Sequence, residues 1–90
     1  MVRSVVLHRV KDYDAWRAVY DGVADMQRQG GVRAQEVLRS VDDANDVLVT
    51  HDFDDEASAR AFFSSHELHE AMQQAGVDGQ PQLIWMGTLV

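Results

Sequence analysis

Two histidines, His8 and His51, carry the side chain best suited to moving protons near neutral pH, because the ordinary pKa of imidazole lies there. Each lies in a short β-branched segment, residues 4–10 and residues 47–53, that predicts a strand. Alternation groups His51 with the more apolar side of its strand and His8 with two valines. If both sides face the helices, the two imidazoles point into one cavity and could take a proton from a phenol or an enolisable ketone. We therefore predict His51 and His8 as catalytic residues, the alternative being structural histidines held by backbone partners.

Aromatic residues are the candidates for binding a substrate beside these histidines. Tyr13 and Tyr20 share the apolar stripe of the first predicted helix and keep a polar hydroxyl that could line the cavity. Trp85 could lie in an interface between copies or at the mouth of the pocket. Core packing is the alternative for all of them and the expectation for Trp16. The predicted substrate-binding residues are Tyr13, Tyr20, Phe53, Phe62 and Trp85.

Two polar clusters have the residue types of functional sites, but simpler explanations exist for both. His66 and His69 are three residues apart on a predicted helix, which is a spacing that metal ligands use. The zinc-protease helix instead needs two histidines four apart, and no third ligand is evident, so we expect a surface helix and no metal. The seven acidic residues from Asp42 to Glu56 are expected to form a solvated turn and helix caps.

The composition disfavours several classes of function. The 90 residues include no cysteine and therefore offer no disulfide, thiolate metal site or thiol nucleophile. The formal net charge of −7 disfavours nucleic acid and anionic membrane as partners, because both need a positive surface. The longest apolar runs have three or four residues, too few for a membrane span or a signal peptide. Without a glycine-rich phosphate loop or a nucleophile elbow, we expect a cytoplasmic protein with no cofactor.

The elements that position these residues follow a βαββαβ order. Hydrophobic periodicity and turn residues predict strands at 4–10, 32–41, 47–53 and 83–90, and helices at 12–30 and 54–76, the second restarting at Ser64. Asp12 and Asp54 are the predicted N-caps, and residues 77–81 are a predicted loop. With right-handed crossovers, this order gives an α+β, ferredoxin-like fold. It has a four-stranded antiparallel sheet, two helices on one face, and the first and third strands at the centre. We expect one domain over residues 1–90.

The sheet face opposite the helices also carries apolar residues. Both sides of residues 4–10 and of residues 83–90 are apolar, although a solvated face should be polar. A second copy packed face to face would cover this surface, so we predict a homodimer through the sheets. The alternative is that these strands carry surplus apolar residues. We also expect the loop at residues 76–82 to border the pocket mouth.

Two stretches resemble a known family. They are residues 10–16, VKDYDAW, and residues 47–57, VLVTHDFDDEA, followed by Ala61-Phe62-Phe63. The first leads from a strand into a helix with an aromatic pair, and the second is a central strand with an aromatic end and an acidic cap. Both are similar to the dimeric α/β-barrel superfamily, and within it to proteins of the antibiotic-biosynthesis-monooxygenase type.

The resemblance implies a small cofactor-independent enzyme of aromatic polyketide or related secondary metabolism, of the oxygenase or cyclase type. Its apolar aromatic substrate would bind between sheet and helices. A non-catalytic dimer that binds a small ligand or serves in an assembly is the alternative, because few polar groups point into the predicted cavity. A closed cavity against the helices that is well below roughly 300 Å³ would favour that alternative.

Overall fold

The structure, a computed structural model, describes the backbone of residues 1–88 and the side chains of these residues except for residue 80 and residues 83–88. Its elements are β1 (Val2–Val10), α1 (Tyr13–Gly22), α2 (Ala24–Gln29), β2 (Ala34–Arg39), β3 (Asp46–Phe53), α3 (Glu56–Phe63), α4 (His66–Gln74) and β4 (Val77–Thr88). The strands lie in the order β2-β3-β1-β4, and each neighbouring pair is antiparallel. The α+β ferredoxin-like fold is therefore confirmed, with β1 and β3 at the centre.

Each predicted helix is two consecutive helices. The first divides at Val23, which caps both α1 and α2. The second divides before Ser65, which caps α4 by accepting a hydrogen bond from the backbone N–H of Leu68 at 3.2 Å. The predicted restart at Ser64 is one residue early, because the Ser64 hydroxyl donates to the carbonyl of Arg60 instead. None of the helices within residues 1–88 is long and apolar enough to cross a membrane.

The two predicted N-caps have different outcomes. Asp12 caps α1 as predicted, accepting a hydrogen bond from the backbone N–H of Asp14 at 3.1 Å. The cap of α3 is Asp55, which accepts from the backbone N–H of Ser58 at 2.7 Å. The prediction for Asp54 is wrong because its carboxylate pairs with Arg33.

The last strand begins earlier than the sequence pattern indicated. β4 starts at Val77, so the predicted loop at residues 77–81 is wrong. Backbone pairing explains the difference, because Val77 lies opposite Val10 and β4 follows β1 along its whole length. A register shift between Leu7 and Arg9 accommodates extra residues of β4, including Gly79 at a φ of 78°. An irregular edge strand tolerates a positive-φ glycine and a proline, which misled the prediction.

The core lies between the sheet and the helices in two clusters. One surrounds Trp16 of α1 and Val49 of β3, and the other surrounds Phe53 of β3 and Phe62 of α3. His8 and His51 lie on this helix-facing side of the sheet, at 8% and 5% exposure. The strand alternation therefore oriented both histidines correctly.

Candidate functional site

A cleft of ≈ 480 Å³ opens between the β1–β4 edge of the sheet and the α3–α4 helix pair. This volume lies within the range of small-molecule binding sites, roughly 300–1,000 Å³. Among the residues whose side chains are described, the cleft is lined by Val6, Phe63, His69, Met72, Gln73, Val77, Gly79 and Pro81.

Two elements place most of this lining. On α4, Met72 and Gln73 come three and four residues after His69, which puts them on the same helix face as His69. The first residues of β4 form the opposite wall, because the strand begins at Val77 and carries Gly79 and Pro81 past the helix. The segment expected at the pocket mouth thus lines the cleft, but as a strand. The opposite wall, α4, supplies the imidazole of His69 and the amide of Gln73.

A second, smaller cavity of ≈ 50 Å³ lies between the α1–α2 and α3–α4 helix pairs. His51 lines this small cavity from the sheet, and Trp16 and Tyr20 line it from α1. Met72 is the residue that the small cavity shares with the cleft among the residues described. The His51 ring also lies 5.9 Å, between centroids, from Phe63 of the cleft wall. Phe63 and Met72 therefore stand between His51 and the cleft.

His51 belongs to a hydrogen-bonded chain of three side chains, which runs from the buried imidazole through the half-buried Tyr20 to the exposed Gln35. Its Nε2 lies 3.1 Å from the hydroxyl of Tyr20, and that hydroxyl donates to Oε1 of Gln35. Nδ1 of His51 is buried and has no hydrogen-bonding partner among the described residues. The ring is thus fixed on one side only.

Burial disfavours the charged forms of His51 and Tyr20, the two titratable side chains of this chain. It lowers the pKa of His51 to about 4 and raises the pKa of Tyr20 to about 12. The imidazole is therefore neutral at pH 7, but it is a much weaker proton acceptor than an exposed histidine. This weakens the reason for which His51 was predicted as a general base.

The sequence matches a known family over most of its length. The model of the antibiotic biosynthesis monooxygenase family matches residues 6–74. The chain belongs to this family. No curated protein matches it.

Solved structures of this monooxygenase family have the same fold at low sequence identity. An antibiotic-biosynthesis-monooxygenase-type protein of Bordetella bronchiseptica gives a TM-score of 0.84 at 12% identity, with 99% of this chain and 97% of that chain covered. A protein of the same type from Nitrosomonas europaea gives 0.79 at 16% identity, with 100% of both chains covered. SnoaB from Streptomyces nogalater, a cofactor-independent oxygenase, gives 0.76 at 15% identity, with 99% and 95% covered. At these identities the likeness supports the fold alone.

The two predicted catalytic histidines of this family member do not share a cavity. His8 lies opposite Val47 on β3, whereas His51 lies opposite Ser4 on β1. Four residues of strand separate them, about 13 Å at the usual rise per residue. His8 packs on Trp16 at 5.5 Å between ring centroids, burial lowers its pKa, and it lines neither cavity. The expectation of one shared cavity is wrong, because the register separates residues that alternation alone placed together.

None of the four predicted substrate-binding residues whose side chains are described lines the cleft. Tyr20 and Phe62 line the small cavity, and Phe53 is fully buried in the core. The ring of Tyr13 lies under the guanidinium of Arg39, 4.1 Å from centroid to Cζ. The side chain of Trp85 lies outside the described residues. The binding and catalytic roles of the predicted set stay predictions.

The polar residues of the cleft, His69 and Gln73, were not predicted as site residues. The sequence drew attention to His69 through its spacing from His66, which suggested a metal pair. The described residues contain no metal-binding cluster, and His66 bonds Glu70 at 2.8 Å instead. The signal that could have found the site is the four-residue step from His69 to Gln73, with an apolar Met72 beside it.

Proposed function

We propose that this protein is a small cofactor-independent enzyme of aromatic polyketide or related secondary metabolism, an oxygenase or a cyclase, which binds its substrate in the cleft. The observation that carries the proposal is the cleft itself, whose volume of ≈ 480 Å³ suits a polycyclic aromatic compound. Val6, Phe63, Met72 and Val77 offer apolar contacts to a flat ring system, and His69 and Gln73 offer a polar edge. Membership of the monooxygenase family supports the same proposal, as does the fold shared with the oxygenase SnoaB.

The oxygenase form needs only a base, an apolar site and dioxygen. The base removes a proton from an enolisable aromatic ketone, and the electron pair left on carbon makes the ring electron-rich enough to reduce dioxygen. One oxygen atom becomes a new carbonyl oxygen, and the other leaves as water with the two hydrogens of the oxidised carbon. In the cyclase form the same carbanion attacks a carbonyl group within the molecule, and no dioxygen is consumed. The protein contributes binding and orientation.

Blocking the cleft tests where the substrate binds. Thermal shift with a panel of hydroxylated anthrones and anthraquinones should identify a ligand, and an oxygen electrode should then record its turnover. Gln73→Trp places a large ring in the cleft and should weaken binding of that ligand by about tenfold or more, since steric exclusion removes its contacts. Gln74→Trp is the matched control, because Gln74 is an exposed neighbour on α4 that does not line the cleft.

The possible outcomes separate the candidate functions. Oxygen uptake that Gln73→Trp abolishes and Gln74→Trp preserves supports the oxygenase, and ring closure without oxygen uptake supports the cyclase. Binding without any turnover would favour the non-catalytic ligand-binding alternative. Equal binding by both tryptophan variants would contradict the cleft as the site.

We also propose that two copies pack through the open faces of their sheets. On this face Leu7, Leu48 and Leu38 lie side by side in register across β1, β3 and β2. Leu7 and Leu38 are 43% and 54% exposed, which leaves an apolar row without cover in a single chain. The side chains that β4 contributes to this face from residue 83 onward lie outside the described residues. A second copy of the same row would cover it by two-fold symmetry.

A further inference from the structure

We propose that His69 is the proton acceptor of the cleft and that the side-chain amide of Gln73 donates a hydrogen bond to the substrate carbonyl oxygen as that oxygen gains negative charge. This inference rests on the proposed function and assigns its chemistry to two residues of α4. In the step, the methylene C–H bond that is conjugated with the ketone through the ring breaks, and its electron pair is delocalised through the ring onto the carbonyl oxygen. The proton bonds to a ring nitrogen of His69, which becomes an imidazolium.

The composition of the cleft wall leads to His69. It is the only titratable side chain among the described residues that line the cleft. The amide of Gln73 cannot take up a proton at neutral pH, and the remaining lining side chains are apolar. Among the described lining residues, therefore, only His69 can accept a proton from a bound substrate, and water is the other possible acceptor.

Helix geometry brings the base and the amide together. Residues four apart on a helix lie on one face, with roughly 5–6 Å between their Cβ atoms. His69 and Gln73 have this spacing on α4, with Met72 lying beside them on the cleft. The pair can therefore contact two sides of one bound ring system, His69 at the acidic C–H and Gln73 at the carbonyl oxygen. An amide donor aimed at an oxygen that becomes anionic stabilises the transition state more than the bound ketone.

The other two helix-side histidines are less suited to this role. His51 lies behind Phe63 and Met72, in a cavity of ≈ 50 Å³ that is too small for a polycyclic ring. Its Nε2 is engaged by Tyr20, and burial lowers its pKa to about 4. His8 packs on Trp16 and lines neither cavity.

Exchange of hydrogen for deuterium at the acidic carbon of anthrone, without oxygen, tests the assignment. Anthrone is an enolisable aromatic ketone, and NMR in D₂O follows the loss of its methylene protons. We expect the wild-type protein to accelerate exchange above the buffer rate. His69→Gln should lower the accelerated rate by roughly a hundredfold, the usual contribution of a general base, while anthrone affinity stays within about twofold. Gln73→Leu should lower the exchange rate by roughly tenfold or more.

Two further variants serve as controls on the histidine assignment. His66→Gln should leave exchange unchanged, because His66 is on the same helix but bonds Glu70 and does not line the cleft. His51→Gln should also retain most of the exchange rate if His69 is the base. Loss of exchange in His51→Gln but not in His69→Gln would overturn the inference, as would bound anthrone whose exchange the wild-type protein does not accelerate.

Oxygen uptake separates the failure of this inference from failure of the proposed function. Exchange that depends on His69 in a protein that consumes no oxygen would retain His69 as the base and reject the oxygenase. Oxygen uptake by the wild-type protein that His69→Gln leaves unchanged would reject His69 and retain the oxygenase.

Discussion

His51 lies between the sheet and the helices with its ring among aromatic side chains, 6.0 Å from Phe62 between centroids. Burial there lowers its pKa to about 4, well below that of an exposed imidazole. A histidine whose pKa is lower in the folded chain stabilises the fold above the unfolded pKa, near 6.5. That stability is lost as the pH falls through the folded value. The neutral imidazole is therefore a source of acid sensitivity.

This linkage gives a pH-dependent prediction for His51→Gln. Between pH 7 and pH 4.5, His51 should cost the wild-type protein about 2 kcal/mol of its free energy of unfolding, because the unfolded chain binds the proton more tightly. Glutamine does not titrate in this range, so the variant should lose correspondingly less over the same interval. Urea denaturation at both pH values measures the difference. The same loss in His51→Gln as in wild type would contradict the buried neutral imidazole.

Residue types and alternation predicted which side of the sheet His8 and His51 occupy, but not their distance from one another. The side chain direction follows from a period of two within one strand. The separation depends on the register of β1 against β3, in which His8 lies opposite Val47 and His51 lies opposite Ser4. The spacing of His69 and Gln73 could have indicated a polar helix face, but not the cleft, because the wall opposite them belongs to β4, whose start was predicted as a loop.

The early start of β4 forms one wall of the cleft. Val77, Gly79 and Pro81 line it because they continue the strand alongside β1 rather than leave as a loop. The glycine and proline in this segment predicted a loop on composition, whereas backbone pairing with β1 determines its path. Helix and strand types were predictable from periodicity. The N-caps of α3 and α4 lie one residue after the predicted positions. The side chain of Asp54 binds Arg33, and that of Ser64 binds the carbonyl of Arg60.

Gly79 and Gly22 form a matched pair for testing this strand. Gly79 has a φ of 78°, and a Cβ added at either glycine would meet no atom within 4 Å. Gly79→Ala should therefore destabilise the fold through backbone strain alone, by about 1–2 kcal/mol. Gly22 is the last residue of α1 and is not at positive φ, so Gly22→Ala should be neutral or stabilise by up to about 1 kcal/mol. Thermal unfolding of both variants measures this contrast. Equal stability would show that Gly79 does not need its left-handed conformation.

At the scale of the whole molecule, the open sheet face combines an apolar row with charged ends. Arg3 and Asp52 pair at one end, where Nε and Oδ1 lie 2.7 Å apart, and Arg9 pairs with Asp46 at the other. The apolar character of this face was predictable from the strands, since both of their sides are apolar. The ion pairs were not, because they join residues whose proximity depends on the pairing of β1 with β3. Charged ends around an apolar centre are the composition expected of an interface between copies.

A single substitution in the leucine row tests that interface. Wild-type protein should elute as a particle of about twice 10.1 kDa by light scattering after gel filtration. Leu7→Asp should shift it toward monomer, because association would bury an unpaired carboxylate against the partner. Val41→Asp is the matched control, since Val41 is 99% exposed and lies outside the sheet, so it should leave the mass unchanged. A wild-type monomer at micromolar concentration, or a dimer that survives Leu7→Asp, would show that the row does not join two copies.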